Sequence, residues 1–237
     1  MDELLAVLCT VGFVAATLAV YPYTATAIAF RGSDNGLAYI LLVMGAGVWN
    51  AMFAAQLLDA DPTVKGFFLT LSIVGASLAG LGWFLFAGTA SSTIAVPHHR
   101  LAYGLAALFT GVNISLVMTN PAHGHYWTLP AETGPSPFVA IGPEPLYWFH
   151  TLFLVVLFGA GTALFAEAWR AGVKPRYSRA YAIAGTITVL AVVANNVVTP
   201  GGVSVAPLAA ASLTTIGWFQ ARRGQAFETV RTRLGWT

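Results

Sequence analysis

"GLAYILLVMGAGVWNAMFAAQLL", Gly36 to Leu58, decides the fold class: it holds no charged residue, and its amides are Asn50 and Gln56. A helix rises about 1.5 Å per residue and a bilayer's hydrocarbon core is about 30 Å thick, so a run of this length is one membrane span. Working outward, six further apolar runs fall at about 4–29, 66–88, 101–119, 146–168, 181–199 and 205–221. They use up most of the 237 residues. The composition agrees, because 57% of the chain is hydrophobic and 8% is charged, against about 25% charged in a soluble domain. The expected architecture is all-α: one polytopic seven-helix transmembrane domain over residues 1–221, followed by a short basic tail at 222–237.

Lys and Arg set the expected orientation, since cytoplasmic connections carry them in excess. One set of alternate connections holds Lys65 alone. The other holds Arg31, Arg100, Arg170, Lys174, Arg176, Arg179, Arg222, Arg223, Arg231 and Arg233. This predicts an external N-terminus and a cytoplasmic C-terminus in a multi-pass plasma-membrane protein. Met1-Asp2-Glu3 is the opposite of a positively charged leader, so the first run reads as a span and not as a signal peptide. Small residues recurring at helical spacing, among them Gly45, Gly75 and Gly80, would let helix backbones approach in lipid. The tail "ARRGQAFETVRTRLGW" spaces Phe227, Val230 and Leu234 as an amphipathic or signalling helix would.

Given that orientation, the amides Asn50, Gln56, Asn113, Asn120, Asn195 and Asn196 and the span histidine His150 fall in the outer half, while the inner half offers mostly Tyr, Thr and Ser. Polar groups in a bilayer turn towards the bundle interior or a cavity. Their distribution predicts an outward-facing polar cavity between the second, fourth, fifth and sixth spans. Asn113 and Asn120, seven residues apart, share a helix face.

Specific chemistries are constrained as well. Covalent retinal is excluded, because no lysine lies in the last span and Lys65 and Lys174 sit at connections. His123 and His125 form H-x-H and His150 could join them, with Glu132 or Glu144, in a metal or haem site, but the spacing matches no strong ligand signature. This stays a minority reading, and no cofactor is expected. Cys9 is alone, so it forms no intramolecular disulfide. His98 and His99 read as a solvated cytoplasmic loop. No span carries paired carboxylates, and Glu167 with Arg170 reads as a local ion pair. A catalytic site is therefore not expected.

The external stretch "LVMTNPAHGHYW", residues 116–127, resembles the Asn-Pro-x-His and following aromatic of the N-terminal seven-transmembrane region of sensor histidine kinases, here Asn120, Pro121, His123 and Trp127. "GPEPLYWFHTLFLVV", residues 142–156, resembles that family's fifth span through Gly142, Trp148 and His150. "NNVVTPGGVSVAPLAAAS", residues 195–212, resembles its sixth and seventh through Asn195 or Asn196 and Pro207. The family commonly carries an Asp before the last span, where this chain has Ser204. The resemblance implies signal input to a cytoplasmic kinase or PAS-type output module. The candidate ligand-binding set is Asn113, Asn120, His123, His125, Trp127, Trp148, His150 and Asn195: amides for hydrogen bonds, histidines for a ligand or pH response, tryptophans as a lid. Expected partners are the lipid bilayer, a small extracellular or membrane-soluble ligand, the output module and a second copy in a homodimer, with no nucleic acid. The alternatives are a seven-helix small-solute transporter and a metal- or haem-binding membrane protein.

Overall fold

The computed structural model describes residues 2–29, 35–59, 61–90, 99–129, 141–173, 175–198, 200 and 204–233. The long helices are α1 (Asp2–Ala29), α2 (Gly36–Leu58), α3 (Pro62–Ala90), α4 (His99–Met118), α6 (Pro145–Arg170), α7 (Pro175–Val193) and α8 (Ala206–Arg233). A one-turn helix, α5 (Asn120–His123), follows α4, and a π-helical turn, Ala194–Val198, ends α7. Two short strands, β1 (Trp127–Thr128) and β2 (Gly142–Pro143), are found among the described residues. Glu132, the His98–His99 side chains and the tail side chains from 221 onward lie outside what is described.

Among the described residues six helices are long and apolar enough to cross a membrane: Val7–Ala25, Gly36–Leu58, Pro62–Ala90, Arg100–Met118, Pro145–Arg170 and Tyr177–Val198. The seventh, α8, is apolar as far as Phe219, then continues as helix through Gln220 and the basic tail to Arg233. The protein is an all-helical seven-helix membrane bundle. The α3 helix starts at Pro62, ahead of its apolar run, because Asp61 caps it. The Asp61 carboxylate accepts the Thr63 N–H at 2.7 Å and the Val64 N–H at 3.4 Å, and a proline tolerates the first helical position, where its missing donor is not needed.

The tightest seam is α2 against α3. Gly45 faces the backbone of Leu78 and Ala79, Gly82 that of Leu41 and Leu42, and Gly75 that of Trp49 and Gly45. Backbone thus lies on backbone along about two turns. Towards the other end, Trp83, Phe86, Phe165 and Tyr181 pack as one aromatic block, with Phe165 and Tyr181 stacked at 4.4 Å. The Trp83 indole N–H, fully buried, donates to the Phe158 carbonyl at 3.1 Å. Tyr39 from α2 and Tyr181 from α7 grip α8: the Tyr39 hydroxyl donates to the Thr214 carbonyl at 2.8 Å, and the Tyr181 hydroxyl donates to Gln220 Oε1 at 3.1 Å.

Glu167 and Arg170 do form an ion pair, at 3.3 Å. Both side chains are more than half exposed, and such pairs contribute about 0–1 kcal/mol. Glu167→Gln should shift the thermal unfolding midpoint of detergent-solubilised protein by no more than a degree or two, the equivalent of about 0.5 kcal/mol.

Candidate functional site

The polar residues gather where α4 ends. Pro121 stands in the first turn of α5, and Gly124 closes that turn with φ 65°. A side chain would be strained in this left-handed conformation. The chain then folds back, and Asn120 fastens the return: its Oδ1 accepts the Tyr126 N–H at 2.8 Å and its Nδ2 donates to the Trp127 carbonyl at 3.0 Å. The returning strand is sewn to the start of α6. Trp127 pairs with Pro143 and Thr128 with Gly142, while Glu144 N–H donates to the Tyr126 carbonyl at 3.0 Å and Leu146 N–H to that of His125 at 3.1 Å.

Aromatic residues just past the end of a span commonly sit at the headgroup level, but Tyr126 and Trp127 are buried, 1% and 5% exposed. They pack on Leu69, Ile73, Val117 and Tyr147. The cause is the Asn120 clasp, which turns both rings inward. There the Tyr126 hydroxyl donates to Asn113 Oδ1. Asn113 Nδ2 in turn donates to Ser77 Oγ at 3.0 Å and to His150 Nδ1 at 2.9 Å. An amide nitrogen only donates, so His150 Nδ1 is an acceptor and its ring proton sits on Nε2. Ser77 passes its own proton to the Ile73 carbonyl at 2.9 Å. Burial pushes the pKa of the Tyr126 phenol up, so this donor keeps its proton across the physiological range. The result is a buried polar knot joining α3, α4, α6 and the returning segment.

Four expected residues, Asn113, Asn120, Trp127 and His150, therefore belong to one assembly. The others stand apart from it. His123 has both ring nitrogens engaged: Nε2 donates to the Leu116 carbonyl at 3.1 Å, and Nδ1 accepts the His125 N–H at 3.0 Å. His125 is exposed and stacks on it at 5.2 Å. His150 faces Asn113 instead of this pair, and among the described residues no three His, Cys, Asp or Glu side chains come together. Trp148 is 42% exposed on the outer face of α6, away from any lid position. Asn195 donates to Asn196 Oδ1 at 3.1 Å, and it is Asn196 that reaches another helix, accepting the Tyr147 hydroxyl at 3.0 Å. Asn50 ties α2 to α8 by donating to the Pro207 carbonyl at 2.8 Å. Gln56 is fully buried, with neither polar atom of its side chain partnered among the described residues.

Sequence reasoning missed Ser77, Tyr126 and Tyr147. Tyr147 was detectable, since Tyr147, His150, Thr151 and Leu154 follow a helical face and are all buried. A cavity of about 660 Å³ adjoins the knot, between the start of α3 and the 118–129 segment. Thr63, Phe67, Thr70, Met118, Asn120 and Trp127 are among its walls. It thus lies on the α3 side of Asn120, not between the second, fourth, fifth and sixth spans.

Compared with known proteins, the chain matches the model of the N-terminal 7TM region of histidine kinase over residues 4–230. No curated protein and no solved structure matches it. The family is a membrane sensory input region, in keeping with a helical bundle of membrane-spanning length. The chain belongs to the N-terminal seven-transmembrane region of histidine kinases.

Proposed function

We propose that this input domain reads a small ligand or membrane state at the α4–α5 end and passes the response along α8 to a cytoplasmic kinase. One observation carries the reading: Asn120 and Trp127 form walls of the cavity and, through Tyr126, are bonded into the knot that joins α3, α4 and α6. An occupant pressing on Trp127 bears on the start of α6 through the paired strands. The α6 helix packs on α7, which packs on α8, and α8 is continuous to Arg233. A ligand moves such an equilibrium only by binding one arrangement better. Inverting a 1:99 population takes roughly 10⁴-fold preference.

External sensing requires the α4–α5 end to face outward, and impermeant labelling tests this. In a Cys9→Ser background, Ala122→Cys and Ala171→Cys place thiols at exposed positions at opposite ends of the bundle. In intact cells a membrane-impermeant maleimide should label Ala122→Cys and reach Ala171→Cys only after permeabilisation. The reverse pattern would overturn external sensing.

A further inference from the structure

The cavity beside Asn120 has a lining chemistry that narrows its ligand. Among the described residues none of its walls is charged. Charged groups desolvated without a partner are strongly disfavoured, so an ionic ligand would enter uncompensated. Its volume, about 660 Å³, falls among those of small-molecule sites.

The walls divide by polarity. Phe67, Met118 and Leu129 are 55%, 46% and 37% exposed, so much of the rim is apolar. Phe67 and Met118 stand on the outer surfaces of two spans, where lipid is the surrounding medium. Beside these rim residues stand the exposed hydroxyls of Thr63 and Thr128, which have no partner among the described residues, and behind them the buried side-chain amide of Asn120. Thr63 and Thr70 are two helical turns apart on α3, roughly 10 Å along the axis; the Thr70 hydroxyl donates to the Gly66 carbonyl at 2.9 Å, so a polar head would find its hydroxyl partner at the Thr63 end. Gly66 forms part of the wall, and a Cβ there would just touch Leu129 Cδ1 at 3.4 Å, so a larger side chain would project into the space.

The geometry points to an uncharged amphiphile, with a hydroxyl or carbonyl head and one apolar chain, entering sideways from the lipid. This deepens the reading of the cavity as the input site and rests on it. The probes are 11-bromoundecanol, its charged analogue 11-bromoundecanoate at pH 8 and the short, water-soluble 2-bromoethanol, added to the chain in phosphatidylcholine nanodiscs. Bromine quenches tryptophan at contact, and the signal read is the part of the fluorescence lost in Trp127→Phe. At equal mole fraction in the lipid, bromoundecanol should quench that part saturably, and the carboxylate should need at least about tenfold more, a difference of about 1.4 kcal/mol. Gly66→Leu should weaken saturation by about tenfold, and the rim variant Phe67→Ala, which leaves the helix seam untouched, several-fold. Equal quenching by alcohol and carboxylate, non-saturating quenching by both, or no effect of either variant would overturn the inference. Saturable quenching by bromoethanol alone would also overturn it while leaving the cavity as a site for a water-borne input.

Discussion

Replacing Gly75 with valine should disrupt the bundle, lowering its stability by about 3 kcal/mol or more. A Cβ at Gly75 would lie 2.5 Å from the Trp49 nitrogen and 2.9 Å from the Gly45 oxygen. Both are backbone atoms of α2, so no side-chain rotation relieves the overlap, and the two helices must move apart along their whole seam. In lipid there is little hydrophobic force to pull them back. Helix association there depends on close packing, which the separation removes. Reversible unfolding in mixed micelles would register the loss. Gly104→Val is the matched control: nothing lies within 4 Å of its Cβ position, on the exposed side of α4. It should stay within about 0.5 kcal/mol of the parent. Equal effects at the two glycines would show that the α2–α3 contact is not what holds the bundle.

Asn113→Leu is the second large effect, and it acts through polarity instead of bulk. The leucine removes the acceptor of the Tyr126 hydroxyl and the donor to both Ser77 and His150. These groups are 1%, 0% and 2% exposed, so water cannot replace what is lost. Leaving a buried polar group unsatisfied costs about 1–3 kcal/mol, and more than one is stranded here, so the total should reach about 3 kcal/mol. Tyr126→Phe removes one hydroxyl and leaves one lone pair of Asn113 bare, so it should cost about 1 kcal/mol. In the double variant the two losses should fall short of their sum, because the Tyr126–Asn113 bond is absent from both single variants. An Asn113→Leu protein as stable as its parent would mean the knot is not held together by these bonds.

The bundle was legible because hydrophobic run length alone decides how many helices can cross a membrane. Hydropathy did not set every boundary: the Asp61 carboxylate starts α3 early, α7 begins at Pro175 ahead of its apolar run, and α8 outlasts its apolar part, as the spacing of its tail suggests. The knot was half legible. Asn113 and Asn120 share a face, and both are buried, as their spacing indicated. The motif that holds Trp148 says nothing of direction, and its side chain is exposed on α6. The buried face of α6 runs through Tyr147, His150 and Leu154, and the adjacent position points outward. Tyr126 and Trp127 follow a span, a place that suits interfacial aromatics. Their inward turn depends on a clasp by Asn120 that no periodicity encodes. His123 supplies loop hydrogen bonds with both nitrogens, a use that H-x-H spacing does not distinguish from ligation.

Coupling between the knot and α8 is the central claim, and a distance measurement tests it most directly. Spin labels at Leu37→Cys on α2 and Phe219→Cys on α8, both exposed positions, would be placed in a Cys9→Ser background. Pulsed electron resonance would then compare the parent with Tyr126→Phe in nanodiscs. Loosening the knot should shift the α2–α8 distance by about 1–2 Å, or populate a second one, as helix shifts in switching proteins do. Superimposable distributions, with the variant folded, would contradict the account.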